Sequence, residues 1–128
     1  MIDTNILLDW LLDRDEHRTK LIEELFTGVE ELHIPDVVIA ELAFALEKFY
    51  NLPRNIVSDN LNKVIDEPGL ICNRLIFQRA LVEYSKHPTW SFLDCCLLNY
   101  AESQNKLPVW TFDKKLFGQS SGRAKSPS

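Results

Sequence analysis

Short apolar runs bounded by Pro or Gly alternate with longer amphipathic stretches along this chain. Met1-Ile2-Asp3-Thr4-Asn5-Ile6-Leu7-Leu8 reads as a short strand running into a turn and a helix. From Asp15 to Gly28, apolar Leu21, Ile22, Leu25 and Phe26 recur at helical spacing between charges, and Gly28 closes the helix. Leu32-His33-Ile34 is a brief strand stopped by Pro35. Asp36 is positioned to cap a helix running to about Tyr50. Pro53 opens the next helix, which carries Ile56, Val57, Leu61, Val64 and Ile65 and ends at Pro68-Gly69. Leu70-Ile71-Cys72 is a third strand. Arg74 to Lys86 is a helix with Leu75, Ile76, Ala80, Leu81 and Tyr84 as candidate core contacts. Ser91 caps a helix to about Gln104, and Pro108-Val109-Trp110-Thr111-Phe112 is a fourth strand with Asp113 directly after it. Strands alternating with helices predict an α/β domain: a parallel sheet covered by helices on both faces.

Composition narrows the class. The 128 residues suit one domain, and 45% hydrophobic with 26% charged residues is ordinary for a globular chain. We read residues 1–117 as the folded domain. The segment 118–128, rich in Ser, Gly and Pro, reads as a disordered tail. No leader pattern and no apolar run of about 20 residues is present, which predicts a cytoplasmic protein that does not enter the membrane. Cys72, Cys95 and Cys96 are an odd number and form no C-x-x-C pair, so they read as reduced, buried side chains. The net charge of -5 argues against a broad basic face for nucleic acid. It does not argue against phosphate held through cations, because metal ions reverse the local sign of a carboxylate cluster. No Gly-rich phosphate loop occurs. His17, His33 and His87 lack metal-ligand spacing.

Four acids stand out. Glu41 is the only charge in the run Val37-Val38-Ile39-Ala40-Glu41-Leu42-Ala43-Phe44-Ala45-Leu46, which predicts a carboxylate on a largely buried helix. Such a group needs a partner or a metal. Asp94 is alone in Phe92-Leu93-Asp94-Cys95-Cys96-Leu97-Leu98, although a Ser91-x-x-Asp94 capping box would explain it structurally. Asp3 and Asp113 each follow a strand, where helix caps would also explain them. Jointly, the four fit a crevice at the carboxyl ends of parallel strands. Converging carboxylates repel unless a cation is shared, and all-oxygen donors select Mg²⁺ or Mn²⁺. Phosphodiester hydrolysis is the chemistry such a centre supports.

The same residues carry a family resemblance. Asp3-Thr4-Asn5, Glu41-Leu42, Ser91-Phe92-Leu93-Asp94 and Thr111-Phe112-Asp113 resemble, in order and spacing, the acidic motifs of PIN domains. The resemblance implies a three-layer α/β/α fold with a short parallel sheet of four to five strands. It implies a Mg²⁺- or Mn²⁺-dependent endoribonuclease similar to VapC-type toxins of toxin–antitoxin pairs. Asp3, Glu41, Asp94 and Asp113 would be catalytic and metal-holding, with Thr4, Asn5 and Thr111 supporting them. The implied partners are RNA, tRNA or rRNA among them, a small antitoxin and a second copy of the chain. Only Met1 and Ile2 precede Asp3, where the family generally has more apolar residues, so a short first strand is expected.

Lys106, Lys114, Lys115, Arg123 and Lys125 are basic residues that could meet RNA, but a solvated surface and a loose tail account for them better than a specific RNA grip does. Trp110 is expected in the core, while Trp10 and Trp90 are open to either packing or base stacking. Two further functions compete. One is another Mg²⁺-dependent phosphoryl-transfer hydrolase; a haloacid-dehalogenase-type enzyme would need an acid where Asn5 stands. The other is a catalytically silent PIN-like module that binds protein or RNA.

Overall fold

The structure is a computed structural model that describes residues 1–28 and 30–128. The chain divides into two compact units, Met1–Arg74 and Leu75–Ser128.

In the first unit, α1 (Thr4–Leu12) and α2 (Glu16–Phe26) pack on each other, and α1 also packs on α3 (Asp36–Phe44). The strand β1 (Leu32–His33) lies between α2 and α3 in sequence. Helix α3 runs directly into a π-helical turn, Ala45–Phe49, and α4 (Arg54–Ile65) leads to β2 (Leu70–Ile71). The strands pair in parallel, Leu32 opposite Leu70 and His33 opposite Ile71. The expected N-terminal strand is reduced to one rung: the Ile2 amide donates to the His33 carbonyl at 2.8 Å.

The core of this unit is built at helical spacing. Ile39, Leu42, Ala43 and Leu46 are fully buried along α3 and its π turn, and Val57, Leu61, Val64 and Ile65 along α4. Pro53 occupies the N-cap of α4, and Pro35 that of α3. Asp36 therefore sits in the first turn of α3, where the helix dipole favours an acid, instead of capping it. Gly69 is required at the turn into β2, because a Cβ there would overlap the backbone carbonyl oxygen of Phe26.

The second unit holds α5 (Arg74–Lys86, starting at the boundary), α6 (Phe92–Ser103), β3 (Val109–Trp110), α7 (Lys114–Gln119) and β4 (Ala124–Lys125). Phe77 and Tyr84 of α5 meet Phe92 of α6, at ring separations of 6.3 and 6.0 Å. Strands β3 and β4 pair in parallel, Val109 opposite Ala124 and Trp110 opposite Lys125.

Three expectations are corrected here. Residues 118–128 are not a loose tail: Ser120 and Ala124 are buried, and β4 joins β3. The reason is Arg123, whose guanidinium bonds both carboxylate oxygens of Glu83 at 2.8 and 2.7 Å and reaches Glu102 at 3.3 Å. Trp110 is 64% exposed, because on a two-residue strand Val109 takes the inward position and its neighbour points out. On α5, Ile76, Ala80, Leu81 and Tyr84 are buried, but Leu75 is exposed because it lies one residue off their helical stripe.

The parallel pairs with covering helices fit an α/β fold; the strands described form two two-stranded sheets. Trp10 and Trp90 are core residues: Trp10 packs edge-on against Phe26 at 4.9 Å, and the Trp90 indole donates to the Lys115 carbonyl at 3.0 Å. Cys95 is buried, and Cys72 and Cys96 are half-buried; all three are thiols outside any disulfide among the described residues. Burial pushes the Cys72 thiol up, which keeps it protonated. Among the described residues, no helix is long and apolar enough to cross a membrane.

Candidate active site

Each motif acid is set by the local backbone. Asp3 is the N-cap of α1, in extended conformation, and its carboxylate accepts from the Thr4 amide at 2.7 Å. That bond uses one carboxylate oxygen and leaves the exposed side chain free to accept more. Thr4 is 2% exposed, and its hydroxyl is a buried polar atom with no partner among the described residues. Asn5 is exposed; its backbone carbonyl lies 3.5 Å from the Arg14 guanidinium.

Asp94 lies in the first turn of α6, where its amide donates to the Ser91 hydroxyl at 3.1 Å. The predicted Ser91 cap is therefore present, and the Asp94 carboxylate is half-buried. Asp113 caps α7 by accepting from the Lys115 amide at 3.0 Å, while its own amide donates to the Thr111 hydroxyl at 3.0 Å. Thr111 thus holds the backbone that aims Asp113, in an exposed position.

Glu41 differs from its expectation. It is exposed on α3, and Val37 and Phe44 on the same stripe are exposed with it. The apolar run is not buried all round, so burial cost is not what marks this residue. No ion pair neutralises Glu41, and none neutralises Asp3, Asp94 or Asp113 among the described residues.

A different acid carries the buried charge. Asp9, in the body of α1, is 6% exposed and bonded to Arg14 at 2.9 Å and Arg18 at 3.5 Å. Burial pulls the Arg14 guanidinium down, but the hydrogen bonds it donates to Tyr50 and Asp9 outweigh this and raise it above its ordinary value. Asn5, Ile6, Asp9, Arg18, Leu21 and Ile22 line a cleft of about 360 Å³ beside this pair. The signal for Asp9 was in the sequence: a single charge inside Ile6-Leu7-Leu8-Asp9-Trp10-Leu11-Leu12, with two arginines following.

The four motif acids offer hard oxygen donors and are in no ion pair among the described residues, a donor chemistry that suits a hard divalent cation. The first unit contains Asp3 and Glu41, the second Asp94 and Asp113. Among the described residues, no group of three or more His, Cys, Asp or Glu side chains is gathered to hold a metal ion.

Comparison with known proteins bears on the family. The PIN domain model matches residues 1–119. A VapC ribonuclease of Aquifex aeolicus (strain VF5) is 31% identical over 120 residues, covering 90% of this chain and 87% of that protein. No solved structure gives a significant match. Motif order, local geometry and both matches agree: this chain belongs to the PIN-domain family, and to its VapC type.

Proposed function

We propose that this protein is a divalent-metal-dependent endoribonuclease and the toxin of a toxin–antitoxin pair. Its acidic centre would be Asp3, Glu41, Asp94 and Asp113, on a three-layer fold whose strands belong to one sheet of four to five. The observation that carries this reading is the set of four motif acids, in family order, left without cationic partners among the described residues in a chain similar to a VapC ribonuclease.

In this reading the four carboxylates hold Mg²⁺ or Mn²⁺. Held by these carboxylates, a divalent ion would supply water activation and charge neutralisation at phosphorus. The chain's own contribution is orientation. The Thr4 amide fixes one oxygen of Asp3, and the Thr4 hydroxyl is buried with no partner among the described residues. Ser91 fixes the first turn that carries Asp94. Thr111 and the Lys115 amide fix the backbone and carboxylate of Asp113. Asn5 supports the Asp3 end. RNA, tRNA or rRNA among it, is the substrate; the antitoxin and a second copy of the chain are the protein partners. We assign the protein to the cytoplasm, where its three thiols stay reduced.

The test is cleavage of labelled RNA by the purified protein. Cleavage should need Mg²⁺ or Mn²⁺, stop with EDTA, and vanish in Asp3→Asn and Asp94→Asn. Cleavage that persists in chelator rules out the metal mechanism. One observation favours a second reading, a silent PIN-like binding module: no three acids are gathered among the described residues. That reading gains if all four single-acid variants behave like the parent.

A further inference from the structure

The second unit exposes two large aromatic rings where a core was expected. Trp110 is 64% and Phe112 76% exposed. The segment alternates buried Val109, exposed Trp110, half-buried Thr111 and exposed Phe112, so both rings share one outward face. The inner positions are already filled, by Val109 and by Ala124 on the paired strand. The rings are not displaced core residues.

The segment is also held firmly. The Val109 amide donates to the Arg123 carbonyl at 2.8 Å, and the Thr111 amide to the Lys125 carbonyl at 3.0 Å. Thr111 in turn bonds Asp113, and Trp90 anchors the start of α7 through Lys115. Rigid exposed aromatics cost little order on binding.

Charge around the rings runs against the rest of the chain. Residues 106–128 contain five of the 14 basic residues and one of the 19 acids. Arg123 is committed to Glu83 and Glu102. Lys106, Lys114, Lys115 and Lys125 are exposed and in no ion pair among the described residues. Lys125 stands directly opposite Trp110 in the parallel register, and Lys114 and Lys115 follow Phe112 within three residues.

From these observations we propose that Trp110 and Phe112, flanked by these four lysines, form a platform that binds single-stranded RNA ahead of Asp113. Bases lie on the two rings, and the lysines meet the phosphates. Aromatic faces accept any base, so the platform grips unpaired RNA with little sequence preference. Exposed rings with Lys125 opposite Trp110 and Lys114 and Lys115 after Phe112 favour a polyanion with flat bases over a purely apolar partner. The proposal rests on the ribonuclease reading for its substrate class and adds where the strand is held.

The test titrates a short fluorescein-labelled oligouridylate into the full chain in EDTA, at several salt concentrations, with cleavage in Mg²⁺ measured in parallel. Trp110→Ala should raise Kd at least about fivefold with an unchanged salt slope. Lys114→Ala/Lys125→Ala should lower the slope of log affinity against log salt by about 0.7 for each phosphate that is no longer neutralised. In cleavage, Trp110→Ala should raise KM and leave kcat near the parent's. Circular dichroism reports that each variant is folded. If the parent binds and cleaves while Trp110→Ala matches it in Kd and KM, the platform is wrong and the nuclease reading stands. If Trp110→Ala changes the oligomeric state instead of the RNA affinity, the face is a protein interface and the proposal fails. If the parent neither binds nor cleaves RNA, both readings fall together.

Discussion

Asp3 caps the helix that carries Asp9, yet Asp9 is buried between Arg14 and Arg18 while Asp3 stands exposed and, among the described residues, accepts from the Thr4 amide alone. The second unit repeats the contrast. Glu83 is clasped by Arg123 and by the Asn99 amide at 2.9 Å, whereas Asp94 and Asp113 sit at helix starts with no cation paired to them among the described residues. Acids that serve the fold are neutralised by arginine. The motif acids are positioned by backbone and left with lone pairs to spare. The two arginine clasps also differ in reach. Arg14 is five residues from Asp9 and closes a local loop, while Arg123 is forty residues from Glu83 and fastens the C-terminal strand.

The contrast predicts that the two kinds of acid fail differently. The largest effect falls on activity. Asp94→Asn should reduce RNA cleavage by more than about a hundredfold, and its thermal unfolding should stay within about 0.5 kcal/mol of the parent. A stability loss comparable with that of the clasps would erase the distinction. Next is Arg123→Ala, which leaves Glu83 half-buried without its cation. Denaturant unfolding should show a loss of about 2–3 kcal/mol, and amide exchange should show Ala124 and Lys125 unprotected. Gly69→Ala sharpens the other side of the comparison. The first unit's long-range constraint there is steric, against the Phe26 carbonyl, and the change should cost about 1–3 kcal/mol.

Much of this organisation was legible beforehand. Periodicity and punctuation located the helices, because Ser91, Pro53 and Pro68-Gly69 act through local backbone chemistry that the sequence displays directly. Strand positions followed from the same stops. Burial was harder to read. Glu41 was marked by an apolar run, but Val37 and Phe44 on its stripe face solvent, since hydrophobicity alone does not say which face of α3 is covered. The strand β4 was invisible in a Ser- and Gly-rich segment because its order comes from Arg123 meeting Glu83, a contact no local pattern encodes. The clasp on Asp9 could have been found by the argument applied to Glu41.

A smaller effect concerns pH. Burial alone would push the Glu83 carboxyl up, but the hydrogen bonds and charge of Arg123, with Asn99, outweigh it and hold it below the usual glutamate range. A carboxyl depressed by folding stabilises the native state above its unfolded pKa, and that stability is lost as pH falls through the folded value. Unfolding followed below about pH 4.3 should therefore show a steeper acid loss in the parent than in Arg123→Ala. Parallel profiles would mean that the clasp does not favour the charged carboxylate.

The proposed function turns on Asp3, Glu41, Asp94 and Asp113 jointly holding divalent metal. The direct measurement is calorimetric titration of Mn²⁺ into the parent chain and into Asp3→Asn, Glu41→Gln, Asp94→Asn and Asp113→Asn. The account predicts Mn²⁺ binding by the parent and an affinity at least about tenfold weaker in every one of the four. Parent-like binding in all four variants, or no binding by the parent, would contradict it.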